Sequence, residues 1–173
     1  MMQCAYRRAT AADAAALAAF GVRSFSETFG HLYPPEDLAA FLGAKFGADI
    51  QAREIADPEN SYTLALGDGA IVGYCQLGRY ELPIACDGRP LEIHRLYVDA
   101  SVKGAGVARA LMDDALAQAR ARGADSVWLS VWENNERAQR FYKSYGFEHA
   151  GEHKFMVGRV ADRDLIWRLD LAR

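Results

Sequence analysis

A glycine-rich turn is the part of this sequence whose residue types point most directly to chemistry. Gly104 and Gly106 stand where a strand-like segment gives way to a helix-like one. The start of a helix presents unpaired backbone N–H groups and the positive end of the helix dipole, so it attracts anions. Glycines at that point let an anionic ligand approach the main chain closely. We therefore expect residues 103–108 to bind an anion.

Two common nucleotide-binding patterns do not fit this turn. A P-loop requires a lysine directly after its last glycine, whereas Lys103 precedes both glycines. A dinucleotide-binding fingerprint requires a small residue at the position that Arg109 occupies. A tight turn without any ligand stays open as an interpretation of the glycines alone. The identity of the anion must therefore come from other residues.

The composition narrows the classes of protein and partner. The length of 173 residues favours one domain, spanning residues 1–173, with a sizeable core. The net charge of -3 offers no basic surface for nucleic acid, so we expect no nucleic-acid partner. No apolar run reaches the length of a membrane span, and we expect a soluble, cytoplasmic protein with no membrane partner. The three cysteines lack metal-ligand spacing, which predicts free thiols and no metal site.

The elements that must position the turn follow from periodicity and turn signals. Apolar residues recur at helical spacing before and after a series of strand-like runs. Helices are predicted over residues 11–23, 33–42, 49–57, 105–122 and 134–146. Strands are predicted over residues 6–10, 61–66, 70–80, 89–99, 126–132, 148–157 and 164–171. This order is not purely alternating, so it predicts an α/β (α+β) fold with a mixed sheet.

Two motifs occur one after the other along the chain. The first is the turn at residues 103–108, which reads Lys-Gly-Ala-Gly-Val-Ala from Lys103. The second has the pattern Asn-x-x-Ala-x-x-Phe-Tyr before a Gly-Phe pair and consists of Asn135, Ala138, Phe141, Tyr142, Gly146 and Phe147. Together they resemble the two motifs of the GNAT superfamily of N-acetyltransferases, whose first signature is Gln/Arg-x-x-Gly-x-Gly/Ala. The resemblance implies a sheet of about seven strands with splayed middle strands, flanked by about four to five helices. It also implies a cofactor-binding core over about residues 60–147.

The resemblance further implies that acetyl-CoA is the co-substrate and assigns residues to it. The turn's amides would hold the pyrophosphate, and a bulged strand edge would hold the pantetheine arm, with Asn135 contacting the same arm. Residues assigned to acetyl-CoA are Leu96, Tyr97, Val98, Lys103, Gly104, Ala105, Gly106, Val107, Ala108, Asn135 and Tyr142. The implied reaction is direct transfer of the acetyl group to a primary amine.

Acetyl transfer to an amine needs one group that donates a proton and another that accepts one. By resemblance the Tyr142 hydroxyl approaches the sulfur, and a phenol with a pKa near 10 stays protonated at neutral pH. Glu92 and His94 alternate onto one face of a predicted strand, and either could accept the amine's proton directly or through water. Relatives often carry a glutamate at the position of Glu92, so we rank Glu92 before His94.

The acceptor amine is less well defined by the sequence. Residues 25–42 and 153–169 resemble the PaiA-type polyamine acetyltransferases, which implies spermidine or spermine as substrate. Carboxylates that could meet a cationic chain are Glu27, Glu36, Asp37 and Glu81. Two alternatives stay open, an acetyltransferase acting on a protein N-terminus or lysine and a catalytically silent acyl-CoA-binding regulator. Homodimerisation is expected from the family.

Overall fold

Seven strands and five α-helices make up residues 3–171, the part of the chain that the computed structural model describes. The strands are β1 (Ala5–Arg8), β2 (Ser61–Gly67), β3 (Ala70–Arg79), β4 (Pro90–Val98), β5 (Ser126–Trp132), β6 (Glu148–Val157) and β7 (Val160–Asp170). The helices are α1 (Ala14–Phe29), α2 (Pro35–Phe46), α3 (Ala48–Ala56), α4 (Val107–Ala121) and α5 (Glu136–Ser144).

The strands form one mixed sheet in the order β1-β2-β3-β4-β5-β7-β6. All neighbours run antiparallel except β4 and β5, which are parallel. The parallel ladder joins residues 90–92 to residues 126–128 and ends there. Beyond this point the two strands separate and open a gap in the middle of the sheet. The predicted α/β fold, with its mixed seven-stranded sheet and splayed middle strands, is confirmed.

The middle of β4 contains a bulge. Its pairing with β3 shifts after Gln76, so that His94 becomes an additional residue between Ile93 and Arg95. A bulge changes the direction of the side chains that follow it. Ile93 and Leu96 therefore both join the core beneath α4, whereas Arg95 turns to the other face and contacts α3. The bulge that the resemblance implied for this strand is present.

Helices cover both faces of the sheet. The core between the sheet and α4 and α5 includes Leu77, Ile93, Leu111, Met112, Leu129, Val131, Tyr142 and Phe147. On the opposite face α1 packs through Leu17 and Phe20 against Tyr62, Leu64 and Tyr74. An aromatic cluster then joins α1 and α2 to the β6–β7 hairpin through Phe25, Tyr33, Phe46 and Val157. The strand ends and helix starts around the central gap are therefore anchored in packed cores.

Several element boundaries differ from prediction, and for two of them the reason is identifiable. The predicted helix 11–23 begins with a short 3-10 turn, where the Asp13 carboxylate accepts a hydrogen bond from the Thr10 backbone N–H at 2.7 Å. Helix α1 then continues to Phe29, because Phe25 and Phe29 extend its apolar face by another turn. The predicted strand 164–171 starts earlier, at Val160, because β6 and β7 form one hairpin around Gly158.

The longest helix, α1, has 16 residues. No helix among residues 3–171 combines the length and the apolar character that crossing a membrane requires. In the same residues no three side chains of His, Cys, Asp or Glu lie close enough together to hold a metal ion.

Candidate functional site

The gap between β4 and β5 opens into a cleft of about 720 Å³. The side of the cleft toward α4, called the glycine side, is lined by Lys103, Gly104, Gly106, Val107 and Ala108. The side toward α1 and β7, called the carboxylate side, is lined by Glu27, Tyr33, Ser130, Asp162 and Asp164. One continuous cleft therefore joins a helix start to a group of acidic side chains.

The glycine side has the geometry of an anion site. Gly106 is the N-cap of α4, and its φ of +81° lies in the left-handed region that favours glycine. Gly104 has a φ of +88°, and the space where a Cβ would stand is open at both glycines. A ligand can therefore reach the unpaired N–H groups of the first turn of α4 without meeting side chains. Ala105, the other assigned residue of the turn, is exposed between them.

Three cationic side chains border the glycine side. Lys103, Arg109 and Arg137 all line the cleft and are exposed. The Arg109 guanidinium lies 5.4 Å from the ring centroid of Tyr145, a cation–π contact that limits its motion. These charges add to the positive end of the helix dipole. This side of the cleft suits a polyanion better than a single carboxylate.

The free edge of β4 forms the floor between the two sides. Leu96, Tyr97 and Val98 line the cleft, and they follow the point where the ladder with β5 has ended. Backbone groups on this side of β4 are therefore available to an extended ligand that adds to the strand edge. The Tyr97 ring packs against Phe46 and Tyr74 on the face of the sheet that α1 covers, so on the glycine side Tyr97 offers a ligand its main chain.

Asn135 has a structural role that its motif does not reveal. Its side-chain oxygen accepts a hydrogen bond from the Ala138 backbone N–H at 3.2 Å, which caps α5 at its N-terminus. Asn135 also lines the cleft. Because the oxygen serves the helix, the amide NH2 group is the part of Asn135 that a ligand could use as a donor.

Tyr142 lies on α5 and faces the cleft. The residue is 9% exposed and packs edge-on against Phe141 and Phe147. Among the described residues its hydroxyl has no hydrogen-bond partner, although the hydroxyl is not sealed from the cleft. Burial, followed by the nearby Cys75 and Tyr97, raises the pKa of Tyr142 above its ordinary value. The phenol is therefore protonated at neutral pH and free to donate.

The structure brings Glu92 and His94 together, as their spacing predicted, but turns both toward β3. The His94 Nε2 lies 2.9 Å from the Arg79 carbonyl oxygen and so donates to it, while Nδ1 lies 3.4 Å from Glu92 Oε1. Glu92 Oε2 accepts from the Glu81 backbone N–H at 2.8 Å. Burial raises the pKa of Glu92, although His94 and the Glu81 amide act against this effect. His94 borders the cleft, and Glu92 lies behind it.

The carboxylate side contains functional groups that sequence reasoning missed. Asp164 is buried, and its Oδ2 accepts a hydrogen bond from Ser130 Oγ at 3.3 Å. Asp162 accepts a hydrogen bond from the Tyr33 hydroxyl. The register of β5 with β7 joins Ser130 to Ile166, which puts Ser130 and Asp164 on the same face. The available signal was an aspartate alternating with apolar residues along a strand, which is typical of a buried polar group.

The four carboxylates suggested for the acceptor are dispersed in the structure. Glu27 lines the carboxylate side of the cleft. Glu36 and Asp37 instead form ion pairs with Arg159 of the β6–β7 turn, at 2.8 Å and 3.2 Å. Glu81 lies in the segment before β4, where its backbone N–H donates to Glu92. Only Glu27 of the four is thus among the described residues that line the cleft.

Comparisons with known proteins agree with this geometry. A model of the acetyltransferase (GNAT) family matches residues 22–147. An uncharacterized N-acetyltransferase of Mycobacterium tuberculosis is 37% identical over 154 residues, covering 89% of this chain and 95% of that protein. The N-alpha-acetyltransferase RimI of M. tuberculosis is 33% identical over 99 residues, covering 57% of this chain and 59% of RimI.

The fold is also that of a solved acetyltransferase. The crystal structure of the PaiA N-acetyltransferase from Thermoplasma acidophilum, in complex with coenzyme A, superposes with a TM-score of 0.79 at 18% identity. The match covers 98% of this chain and 100% of that one. The superfamily resemblance is confirmed, and the closer likeness to the PaiA type stays a prediction. The chain therefore belongs to the acetyltransferase (GNAT) family and is an acetyl-CoA-dependent acyltransferase.

Proposed function

We propose that this protein transfers the acetyl group of acetyl-CoA directly to the primary amine of a small cationic molecule, with a polyamine such as spermidine or spermine as the candidate acceptor. The observation that carries the proposal is the single cleft that joins a cationic helix start to a carboxylate-lined side. A polyanionic donor and a cationic acceptor would each meet the opposite charge there. No covalent acyl-enzyme is required, since both substrates share one space.

The residues of the glycine side fit acetyl-CoA. The N–H groups at the start of α4 would hold the pyrophosphate, and Lys103, Arg109 and Arg137 would neutralise the remaining phosphate charge. The free edge of β4 would pair with the amides of the pantetheine arm, which also receives the Asn135 amide. Bound acetyl-CoA supplies an activated thioester. A backbone N–H of β4 aimed at the thioester carbonyl would stabilise the oxyanion that develops during attack.

Tyr142 is proposed as the proton donor to the leaving sulfur. Its hydroxyl lines the cleft without a partner among the described residues, so it is free to interact with a ligand. A thiol has a pKa of about 8.5, so the departing thiolate readily accepts a proton at neutral pH. A positioned acid of this kind contributes about 100-fold or more to the rate.

Glu92 and His94 stay candidates for accepting the amine's proton, but only through water. Both His94 nitrogens are engaged, by the Arg79 carbonyl and by Glu92. Glu92 in turn is held by the Glu81 backbone. A proton would therefore have to travel from the cleft to this pair along a bridging water.

The carboxylate side favours a cationic acceptor with apolar parts. Glu27, Asp162 and Asp164 share this part of the cleft with the rings of Phe29, Tyr33, Trp132 and Phe155. Carboxylates attract an ammonium group, and aromatic faces accept both methylene chains and cations. A polyamine combines these two properties.

Two other functions are less well supported. A protein N-terminus or lysine as acceptor draws support from the partial similarity to RimI, which covers 57% of this chain. A peptide would, however, have to enter a cleft bordered by α1 and the α1–α2 connection. A silent acyl-CoA-binding regulator would not need the unpartnered Tyr142 hydroxyl.

The test is release of the CoA thiol from acetyl-CoA in the presence of a panel of polyamines, arylamines, amino acids and peptides. We expect turnover with polyamines, with a larger kcat/KM for spermidine or spermine than for monoamines of similar length. Turnover with peptides alone would replace the small-molecule proposal with protein acetylation. No CoA release with any amine would overturn the proposed transferase function.

A further inference from the structure

Asp164 is a buried carboxylate that faces the cleft. It lies on β7 opposite Trp132 of β5 and His153 of β6, and only 8% of the residue is exposed. Its Oδ2 accepts a hydrogen bond from Ser130 Oγ, and no lysine or arginine within residues 3–171 forms an ion pair with it. A buried carboxylate without a cation is costly to a fold. Such a group calls for a functional explanation.

The groups around Asp164 make it a proton acceptor suited to neutral pH. Burial raises the pKa of Asp164 to about 6, with the Asp162 charge adding to the rise and the Ser130 hydrogen bond opposing it. The other titratable groups that face it are Tyr33 from the α1–α2 connection, Tyr97 from β4 and His153 from β6. Burial lowers the pKa of His153, which favours its neutral form over the imidazolium.

We propose that Asp164 accepts the proton that the acceptor ammonium must lose before its nitrogen attacks the acetyl carbon. This inference rests on the proposed amine acetylation and names the group that performs its first step. Asp164 faces the cleft with one carboxylate oxygen that has no donor among residues 3–171, whereas Glu92 and His94 are engaged with each other and with the backbone. Because Asp164 lines the cleft, it could take the proton without the water relay that the Glu92–His94 pair would need.

The protons of the reaction then balance. The ammonium gives its first proton to Asp164, which releases it to solvent. The nitrogen forms a bond to the acetyl carbon, and the carbon–sulfur bond breaks with its electron pair on sulfur. Tyr142 gives its proton to that thiolate and recovers one from the nitrogen of the new amide. The products are an N-acetylamine, the CoA thiol and one proton in solution.

The test compares kcat/KM as a function of pH for the wild type and Asp164→Asn, with one polyamine as acceptor. The wild type should lose activity below pH 6, because protonated Asp164 cannot accept another proton. Asp164→Asn should lose at least about 100-fold at pH 7. Its kcat/KM should then rise tenfold per pH unit toward the pKa of the amine, because only free amine reacts. Asp170→Asn, a carboxylate on the exposed end of the same strand, is the matched control and should behave as the wild type.

Two neighbouring substitutions should move the acidic limb in opposite directions. Ser130→Ala removes a hydrogen bond that favours ionised Asp164, so the limb should move to higher pH. Asp162→Asn removes a negative neighbour, so the limb should move to lower pH. A purely structural role of Asp164 would produce neither shift. Acetyl-CoA affinity, measured by calorimetry, should be unchanged in Asp164→Asn.

The fold of the variant provides a further control. Because the pKa of Asp164 is raised to about 6 in the folded state, its ionisation lowers the free energy of unfolding as the pH rises toward 6, and the loss is complete at pH 7.5. Asp164→Asn should therefore unfold at no lower a temperature than the wild type at pH 7.5. If Asp164→Asn keeps the acidic limb of the wild type while Glu92→Gln loses it, the inference is wrong and the β4 pair is the base. If the wild type itself releases no CoA, the proposed function fails as well.

Discussion

The glycine side and the carboxylate side of the cleft use different parts of the polypeptide. On the glycine side a ligand meets backbone N–H groups of α4 and the edge of β4, because Gly104 and Gly106 leave the space in front of them free of side chains. On the carboxylate side it meets side chains from α1, β5 and β7, including Glu27, Ser130 and Asp164. The glycine side is suited to binding the same acetyl donor in many related sequences. On the carboxylate side, substitution of a few side chains could change which acceptor binds.

This difference separates two kinds of recognition within one cleft. Main-chain recognition depends on where a helix starts, and many sequences can produce the same start. Side-chain recognition depends on which residues the strand order places next to each other. Substitutions on the glycine side should therefore change affinity for acetyl-CoA, and those on the carboxylate side should change the acceptor or the pH profile.

The largest effect on the catalytic rate is expected from removal of the Tyr142 hydroxyl, which would act where the acetyl group passes from donor to acceptor. Tyr142→Phe keeps the ring that packs against Phe147 but removes the proposed proton donor. We expect kcat to fall by about 10- to 1000-fold, with little change in acetyl-CoA affinity or in the unfolding temperature. Pre-steady-state measurements should establish that chemistry limits turnover. Normal turnover under that condition would remove the acid role from Tyr142.

A smaller effect is expected on acetyl-CoA binding when charge is added to the glycine side. Gly106→Glu places a carboxylate at the start of α4, and we expect the Kd for acetyl-CoA to rise by about tenfold or more. Gly69→Glu is the matched control, because Gly69 in the β2–β3 turn has the same φ of +81° and the same open space. Both variants share the backbone strain, so the difference between their affinities reports the effect of a bulky, charged side chain at the start of α4. Equal affinities in the two variants would contradict a phosphate site at this turn.

The smallest effect separates the helix-capping role of Asn135 from its proposed contact with acetyl-CoA. Asn135→Asp keeps an oxygen that can cap α5, whereas Asn135→Ala loses the cap and should lower the free energy of unfolding by about 1 kcal/mol. Both variants lack the amide NH2 group, so both should bind acetyl-CoA more weakly than the wild type. Chemical denaturation and calorimetry measure the two quantities. Full affinity in the stable Asp variant would show that Asn135 serves only the helix.

The features that local sequence determines were predicted well. The Gly104–Gly106 turn and the two strands around the central gap each depend on residues close together in the chain. Their residue types therefore carried enough information. The bulge at His94 was implied only by resemblance to the family.

The carboxylate side could not be predicted, because it depends on distant pairings. Strand β7 lies between β5 and β6 in the sheet, which brings Asp164 beside Ser130, although the two are separated in sequence by a helix and another strand. Glu36 and Asp37 were suggested for the acceptor on charge alone, and the Arg159 ion pairs that hold them away became visible only in the fold. The direction of Glu92 and His94 likewise depends on their contacts with the segment around Arg79 and Glu81.

In the proposed reaction both substrates occupy one cleft and react without an acyl-enzyme. Cys75 is buried, and burial raises the pKa of its thiol to about 12, so it is not a nucleophile at neutral pH. The most direct test is initial-rate kinetics with acetyl-CoA and a polyamine varied together, joined to mass spectrometry of the enzyme after acetyl-CoA alone. We predict intersecting double-reciprocal lines and no acetylated cysteine that turns over with amine. Parallel lines, together with an acetyl-enzyme that forms and decays at the rate of turnover, would contradict the account.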